Sequence, residues 1–144
     1  DFWKDILDTN LNSHFLTSRE FARYVKQISI SNKNNYDYKI INIASVGGLK
    51  HWKNRVSYNV SKSAAIHLTK SLAKELAPEI SVNCVCPGLI KIEDDEILDV
   101  PEIRVPMRRY AGAEEVAETV YYFATCSQYI TGQVLTVDGG LQLI

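Results

Sequence analysis

The chain has 144 residues, of which 46% are hydrophobic and 23% are charged, and this composition suits one globular domain. A net charge of −1 and a pI near 6.3 give no basic surface for nucleic acid or for an anionic membrane, so we expect neither partner. No apolar run approaches the roughly 20 residues of a membrane-spanning helix, and the first residues lack the pattern of a signal peptide, which favours a cytoplasmic protein.

The first predicted element is a helix over residues 1–28. Its apolar side chains recur with the helical period on one broad face, at Phe2, Ile6, Leu7, Leu11, Phe15, Leu16, Ala22 and Val25. Asn10 lies in the middle of this helix, where an asparagine is either solvated or hydrogen-bonded to a group outside its own turn. His14 has no obvious partner in the sequence, and we interpret it as structural. The polar residues 29–38 predict an exposed connection.

A strand is predicted from Lys39 to Ser45. Its residues are almost all apolar, which is typical of a strand that is covered on both faces in a parallel sheet. Two glycines follow soon after Ser45 and predict a loop. Because open α/β sheets bind ligands at the carboxyl ends of their strands, this loop borders a candidate site. His51 and Trp52 lie in the same loop and could contact a substrate, but we interpret them as solvated.

The next predicted helix, over residues 56–77, carries Tyr58 and Lys62. This spacing puts the two side chains one turn apart on the same face. A neighbouring ammonium favours the phenolate and lowers the tyrosine pKa from its ordinary value of roughly 10, so the pair could act as an acid or base at physiological pH. The same spacing is also common on solvated helices, so its meaning depends on the surrounding elements.

A second strand is predicted over residues 81–86, ending at Pro87 and Gly88. Strand, helix and strand form a βαβ unit, whose right-handed crossover predicts two parallel strands with Ser45 and the helix start at the same edge. We expect Cys84 and Cys86 to be small core residues that point to opposite faces. The odd number of cysteines argues against a disulfide framework, and we expect no metal site because no cluster of ligands is visible.

The remaining elements are a loop, a helix and a third strand. In the loop, the acidic run at residues 93–96 lacks the spacing of a calcium site and is interpreted as solvated. The helix is predicted over residues 113–125, and Glu114 and Glu115 in its first turn suit the helix dipole. The third strand is predicted over residues 133–138.

In the order and spacing of these motifs the chain resembles the short-chain dehydrogenase/reductases. The resemblance rests on Ser45, Tyr58, Lys62, Pro87–Gly88, Ile130–Gly132 and Val137–Gly140. It implies a Rossmann-type, doubly wound parallel sheet. The seven glycines contain no arrangement typical of the family's phosphate-binding turn. We therefore expect residues 1–144 to be the carboxy-terminal catalytic portion of a single domain in a longer enzyme.

The resemblance also implies a reaction and a role for each site residue. The reaction is hydride transfer between NAD or NADP and a carbonyl or alcohol carbon. Tyr58 is expected to protonate the nascent alkoxide, Ser45 to bind the substrate oxygen, and Lys62 to lower the tyrosine pKa. Asn10 is expected to hold a relay water through its backbone carbonyl. The implied cofactor-binding residues are Tyr58, Lys62, Pro87, Gly88 and Ile90, whereas Ile92 stands where many members carry a threonine that binds the nicotinamide carboxamide.

The substrate is less sharply defined than the reaction. The overall pattern is similar to 3-oxoacyl-acyl-carrier-protein reductases, which act on acyl-carrier-protein thioesters. The run from Glu75 to Glu79 is more similar to pteridine reductases, although these tend to carry an aspartate where this chain has Ser45. The alternative from another class is a catalytically inactive remnant or interaction module. The resemblance further implies a homo-oligomer, a dimer or tetramer paired through the helices at 1–28 and 56–77.

Overall fold

A computed structural model describes residues 1–31, 37–91 and 104–144. The acidic run at 93–96 and Ile92 lie outside the described residues. The described elements, in chain order, are α1 (Phe2–Leu7), a π-helical turn (Asp8–Asn12), α2 (Ser13–Ser31), β1 (Tyr38–Ile43), a 3-10 helix (Val46–Gly48), α3 (Val56–Glu75), β2 (Ile80–Pro87), α4 (Ala113–Thr125), β3 (Val134–Val137) and a final 3-10 helix (Leu141–Leu143). No helix within these ranges is long and apolar enough to cross a membrane.

The three strands form one parallel sheet in the order β1-β2-β3. In its register Ile40 lies beside Val82, and Cys84 lies between Asn42 and Val134. All three carboxyl ends therefore meet at one edge of the sheet. The prediction of an α/β fold with a parallel sheet is confirmed, and each predicted strand and helix is present within a few residues of its expected bounds.

The core is centred on β2, in which every residue from Ile80 to Cys86 is buried. The α3 helix packs on this strand through small side chains, because Ala65 contacts the cysteines and Ala73 contacts Ile80 and Val82. Within the described residues β1 is an edge strand, and its only buried residue is Asn42. Both of its faces are nevertheless covered in part, because Ile40 packs with Val25 and Ala73 on one face and the Lys39 Nζ donates to the Cys126 carbonyl, at the end of α4, on the other.

The expectation that Cys84 and Cys86 point to opposite faces is also wrong. Side chains on a strand alternate, so residues two apart share a face. The two Sγ atoms are 3.8 Å apart, and both side chains pack with Ala65 and Ile66 under α3. The interpretation of both cysteines as small core residues is consistent with their complete burial.

The predicted first helix is interrupted by the π-helical turn. The backbone N–H of Ser13 donates to the carbonyl of Asp8, five residues earlier, instead of to Thr9. The Ser13 hydroxyl donates to the Thr9 carbonyl at 2.5 Å and so replaces the missing helical bond. This turn changes the register of the helix at Asn10, and hydrophobic periodicity alone did not predict it.

The α4 helix begins with a polar network. The N–H of Gly112 donates to the Glu115 carboxylate at 3.0 Å, and the Arg109 guanidinium binds both oxygens of that carboxylate at 2.7 Å. The hydrogen bonds from Arg109, and then that from Gly112, lower the pKa of Glu115 to about 2. The expectation that an acidic residue stabilises this helix start thus agrees with the observed contacts.

Candidate active site

Ser45 lies just beyond the carboxyl end of β1, where it begins the 3-10 helix Val46–Gly48. Its Oγ accepts a hydrogen bond from the N–H of Gly47 at 3.0 Å, and the side chain is only 8% exposed. A serine hydroxyl carries one donor and two acceptor positions. The contact with Gly47 uses an acceptor position and leaves the hydroxyl proton for another group.

Tyr58 and Lys62 lie in the first two turns of α3, and both are half-buried. The Lys62 Nζ atom is 5.9 Å from the centre of the Tyr58 ring, which is within the range of a cation–π contact. The same ammonium donates to the carbonyl of Ile43 at 3.2 Å. Lys62 thus connects α3 to the end of the strand that leads to Ser45.

Gly47 and Gly48 bring the Ser45 loop against α3. A Cβ atom on Gly47 would lie 2.9 Å from Trp52 Cδ1 and 3.0 Å from Tyr58 Cε1, and one on Gly48 would lie 2.6 Å from the backbone carbon of Lys62. The loop can approach this closely only because both residues lack a side chain. The two glycines therefore bring Ser45, Tyr58 and Lys62 to one part of the sheet edge.

Trp52 is a residue of this site that the sequence interpretation missed. We expected it to be solvated, but it is half-buried, its ring lies against Gly47, and its carbonyl accepts from the Asn59 side chain at 2.9 Å. His51 beside it is exposed, as expected. The contact of Trp52 with Gly47 forms only in the folded chain, so the sequence offered no local signal for it.

Burial lowers the pKa of the Lys62 ammonium from its ordinary value, and the thiols of Cys84 and Cys86 partly oppose this shift. The cause is the loss of water around the charged form. Lys62 therefore releases a proton more readily than an exposed lysine does, which suits a group that takes part in proton transfer.

Asn10 is linked to the same part of α3 through its side chain. Its Nδ2 donates to the Ser61 Oγ at 3.2 Å, and the Ser61 hydroxyl donates to the Tyr58 carbonyl at 2.8 Å. Ser61 is fully buried and was not predicted as a site residue. The described contact of Asn10 is made by the side chain, whereas the expected role involves its backbone carbonyl.

The turn at Pro87–Gly88 lies at the same edge of the sheet. The Gly88 N–H donates to the Val137 carbonyl at 2.9 Å, and a Cβ atom on Gly88 would lie only 2.7 Å from the Asp138 Cα. Leu89 packs on a cluster that includes Val46 and Trp52, which connects this turn to the Ser45 loop.

Ile90 pairs with Ala111 in an isolated parallel bridge, whose hydrogen bonds are made by the residues on either side of Ile90. Within the described residues, no hydrogen bond involves the N–H or C=O of Ile90 itself. These two groups are a donor and an acceptor at the sheet edge. In the same ranges, no group of three or more His, Cys, Asp or Glu side chains could hold a metal ion.

The chain is similar to known proteins in sequence and in fold. A protein family described as enoyl-(acyl carrier protein) reductase matches residues 1–142. The 3-oxoacyl-(acyl-carrier-protein) reductase of Synechocystis sp. is 37% identical over 144 residues, which cover 96% of this chain and 56% of the relative. The chain therefore spans little more than half the length of that relative.

Two solved structures are similar over almost the whole chain. A 4-hydroxyisoleucine dehydrogenase complexed with NADH has a TM-score of 0.86 at 29% identity, and the match covers 100% of this chain and 61% of that one. A variant of a short-chain dehydrogenase/reductase from Serratia marcescens has a TM-score of 0.83 at 33% identity, and the match covers 99% and 57% of the two chains.

Proposed function

The chain belongs to the short-chain dehydrogenase/reductase family, and from this premise we propose that it carries the catalytic residues of a nicotinamide-dependent oxidoreductase. The proposed reaction moves a hydride between NAD or NADP and the carbon of a carbonyl or alcohol. The proposed substrate is a 3-oxoacyl thioester, on an acyl carrier protein or a smaller carrier, because the Synechocystis relative is named for that substrate class.

The observation that carries this proposal is the grouping of three side chains around Gly47 and Gly48. A hydroxyl with a free proton at Ser45, a phenol at Tyr58 and a half-buried ammonium at Lys62 lie on adjoining segments at the carboxyl edge of the sheet. Each side chain suits one requirement of carbonyl reduction, namely a hydrogen bond to the oxygen, a proton for it and a positive charge beside the acid.

The proposed mechanism assigns the proton steps to these residues. During reduction Tyr58 donates its hydroxyl proton to the substrate oxygen as negative charge develops there. The Ser45 hydroxyl donates a hydrogen bond to the same oxygen, and the Gly47 N–H keeps its Oγ oriented. The Lys62 ammonium stabilises the phenolate that remains. In the oxidative direction the same groups act in reverse.

The residues at the sheet edge also fit the nicotinamide end of a dinucleotide, which supplies the hydride when it is bound. The Lys62 ammonium has three N–H donors and uses one for Ile43, so donors remain for ribose hydroxyls. The N–H and C=O of Ile90 suit the carboxamide, which has one acceptor and one donor group. Pro87 and Gly88 hold this segment beside β3.

We further propose that a longer polypeptide supplies the pyrophosphate site. The sequence contains no glycine-rich turn of the kind that places N–H groups around a pyrophosphate. Binding energy from the remote part of a cofactor helps to hold its reactive end in position. We therefore expect the 144-residue chain to turn over no nicotinamide on its own.

The test is to express the full natural polypeptide and follow nicotinamide absorbance with a 3-oxoacyl thioester and with a dihydropterin. We expect turnover of the thioester, and we expect Ser45→Ala to lower it about 100-fold, as for other lost oxyanion donors. Ser63→Ala, at an exposed position on the same helix as Tyr58, is the matched control.

Three results would change the proposal. A preference for the dihydropterin would assign a pteridine substrate. Normal cofactor binding without turnover of either substrate would favour an inactive remnant. Turnover by the 144-residue chain alone would refute the need for a longer polypeptide.

A further inference from the structure

Trp52 brings a hydrogen-bond donor to the candidate site that the proposed mechanism does not use. A Cβ atom on Gly47 would lie 2.9 Å from the Trp52 Cδ1 and 3.0 Å from its Nε1, so the N–H edge of the indole faces Gly47. Among the described residues no hydrogen bond uses this N–H, whereas a buried indole N–H usually has a partner. Trp52 is only half-buried, so the donor stays open to a bound molecule.

The same glycine contacts the two residues that are proposed to bind the substrate oxygen. The Gly47 N–H donates to the Ser45 Oγ at 3.0 Å. A Cβ atom on Gly47 would also lie 3.0 Å from Tyr58 Cε1, the ring carbon beside the one that carries the hydroxyl. The Ser45 hydroxyl, the hydroxyl end of the Tyr58 ring and the Trp52 N–H therefore surround Gly47. These donors lie within reach of one small molecule.

The Trp52 ring is held in place from two directions. The Asn59 side chain, in the first turns of α3, donates to the Trp52 carbonyl at 2.9 Å. The ring itself packs against the buried cluster of Val46, Val105 and Leu141. A donor that is oriented before a ligand binds contributes more to binding than one that must first be ordered. The indole N–H is thus a preorganised donor at the site.

A 3-oxoacyl thioester carries two carbonyl groups that are separated by a single CH2 group. The reaction changes only the 3-oxo group, whose oxygen the Ser45 and Tyr58 hydroxyls are proposed to bind. The oxygen of the thioester carbonyl does not react, but it accepts hydrogen bonds and lies close to the 3-oxo group. A neutral N–H donor beside Ser45 and Tyr58 suits this acceptor. A ketone without a second carbonyl would leave the donor unused.

We propose that the Trp52 indole N–H donates a hydrogen bond to the thioester carbonyl of the substrate and so selects 3-oxoacyl compounds over simple ketones. This inference rests on the proposed function and names the residue that recognises the substrate class. A site that hydrogen-bonds one polar group of a substrate discriminates against analogues that lack it, because the group of the site is then left without a partner. Trp52 is therefore a substrate-binding residue and takes no part in the proton steps.

The first test measures the contact without any turnover. The full polypeptide is labelled with 15N at its indole nitrogens, and the oxidised nicotinamide is added so that no ketone is reduced. The 3-oxobutanoyl thioester of N-acetylcysteamine is then compared with the matching thioether, in which CH2 replaces the thioester carbonyl. We expect the Trp52 signal to shift, and its exchange with solvent to slow, with the thioester only. The Trp3 signal, from α1, is the internal control.

The same spectra can refute the inference. A Trp52 signal that responds equally to the thioester and the thioether would mean that the N–H does not read the second carbonyl. A Trp52 signal that responds to neither compound would mean that the indole does not contact the substrate. Either result would overturn the inference.

The second test measures kinetic selection with the same two compounds and the reduced nicotinamide. Trp52→Phe keeps an aromatic ring but removes the N–H. We expect kcat/KM for the thioester to fall about tenfold, mainly through a higher KM, and that for the thioether to change by less than about twofold. Replacing Trp52 by β-(3-benzothienyl)alanine, whose sulfur takes the place of the N–H, should give the same pattern with the ring shape kept. Trp3→Phe is the matched control.

The outcomes separate this inference from the proposed function. If Trp52→Phe lost activity equally with both compounds, or with neither, the ring would only pack the loop, and the inference would be overturned while the proposed function stands. A wild-type polypeptide that reduces neither compound would be a failure of the proposed function, seen before any Trp52 variant is made, and the inference would fall with it.

Discussion

Gly47 and Gly48 restrict the site in two different ways, although both lie between the Ser45 loop and α3. A methyl group on Gly47 would meet the rings of Trp52 and Tyr58, which can rotate or shift. A methyl group on Gly48 would meet the backbone of Lys62, which is fixed within a helix. The first contact controls the positions of site side chains, and the second controls whether the loop can pack at all.

We therefore expect the two alanine variants to differ. Gly48→Ala should lower the free energy of unfolding by about 1–3 kcal/mol, as overpacked cores do. Gly47→Ala should cost less stability but lower kcat, because the Tyr58 ring must move. Urea denaturation and nicotinamide absorbance measure the two effects. If the two variants lost stability equally and kcat were unchanged in Gly47→Ala, the contacts assigned to Gly47 and Gly48 would be contradicted.

His14 predicts a dependence of stability on acid pH. Its folded-state pKa is lowered from 6.5, so just below that pH the unfolded chain binds more protons than the folded chain. The stability that depends on neutral His14 is present above about pH 6.5 and is lost as the pH falls through the lowered value. His14→Gln should remove this part of the acid destabilisation, and His67→Gln should not. Urea midpoints measured across this range would contradict the prediction if both variants matched the wild type.

The sequence predicted Tyr58 and Lys62 as a candidate pair, together with Ser45 and Asn10, but it did not predict the contacts around them. Tyr58 and Lys62 could be identified because helix geometry fixes the relation between positions four apart. The contact of Asn10 with Ser61 joins residues 51 positions apart, and it exists only after α3 packs on the π-helical turn. The same holds for Trp52 against Gly47. Such contacts depend on tertiary packing and leave no local pattern.

At the scale of elements, the start of α4 depends on one carboxylate. Glu115 accepts from the Gly112 N–H and binds the Arg109 guanidinium, so it connects the helix to the segment before it. Both contacts favour the ionised form and lower the pKa of Glu115 to about 2. Its contribution to stability is therefore present above about pH 4.5 and is lost as the pH falls toward 2.

Glu115→Gln should therefore destabilise the protein at neutral pH and have a smaller effect near pH 3, where the wild type loses part of the same contribution. Glu114→Gln, at the exposed neighbouring position, is the matched control and should have little effect at either pH. Thermal unfolding followed by circular dichroism measures the difference. An effect of Glu115→Gln that stays constant over this pH range would show that charge is not its cause.

The elements themselves were largely predictable, because apolar periodicity and turn residues mark their bounds. The π-helical turn was not, since it depends on the Ser13 hydroxyl replacing a backbone bond. The error at Cys84 and Cys86 had a different source. Strand alternation already requires residues two apart to share a face, so the correct placement was available from the sequence.

At the scale of the whole molecule, α1, α2 and α3 expose several large apolar residues. These residues are Phe2, Trp3, Phe15, Leu16, Tyr24, Val56 and Val60, each more than 40% exposed. Phe15 also lines a groove of about 690 Å³ between α2 and α3. A surface with this many apolar side chains favours contact with another protein surface.

We expect this surface to pair two copies of the full polypeptide. Leu16→Glu and Val60→Glu should each shift the protein toward the monomer in light scattering, because a charge would be buried at a two-fold contact. Tyr129→Glu, at a position that is 98% exposed after α4, is the control. A monomeric wild type, or dimers that persist in both variants, would place the interface elsewhere.

The central claim is that Tyr58 is the proton donor of a nicotinamide-dependent carbonyl reductase. The most direct measurement compares Tyr58→Phe with wild type in the full polypeptide, using nicotinamide absorbance and a 3-oxoacyl thioester, with Tyr121→Phe on the exposed side of α4 as the control. Loss of a general acid predicts that kcat falls at least about 100-fold in Tyr58→Phe, while cofactor binding and the control remain unchanged. A Tyr58→Phe enzyme that turns over at the wild-type rate would contradict the claim.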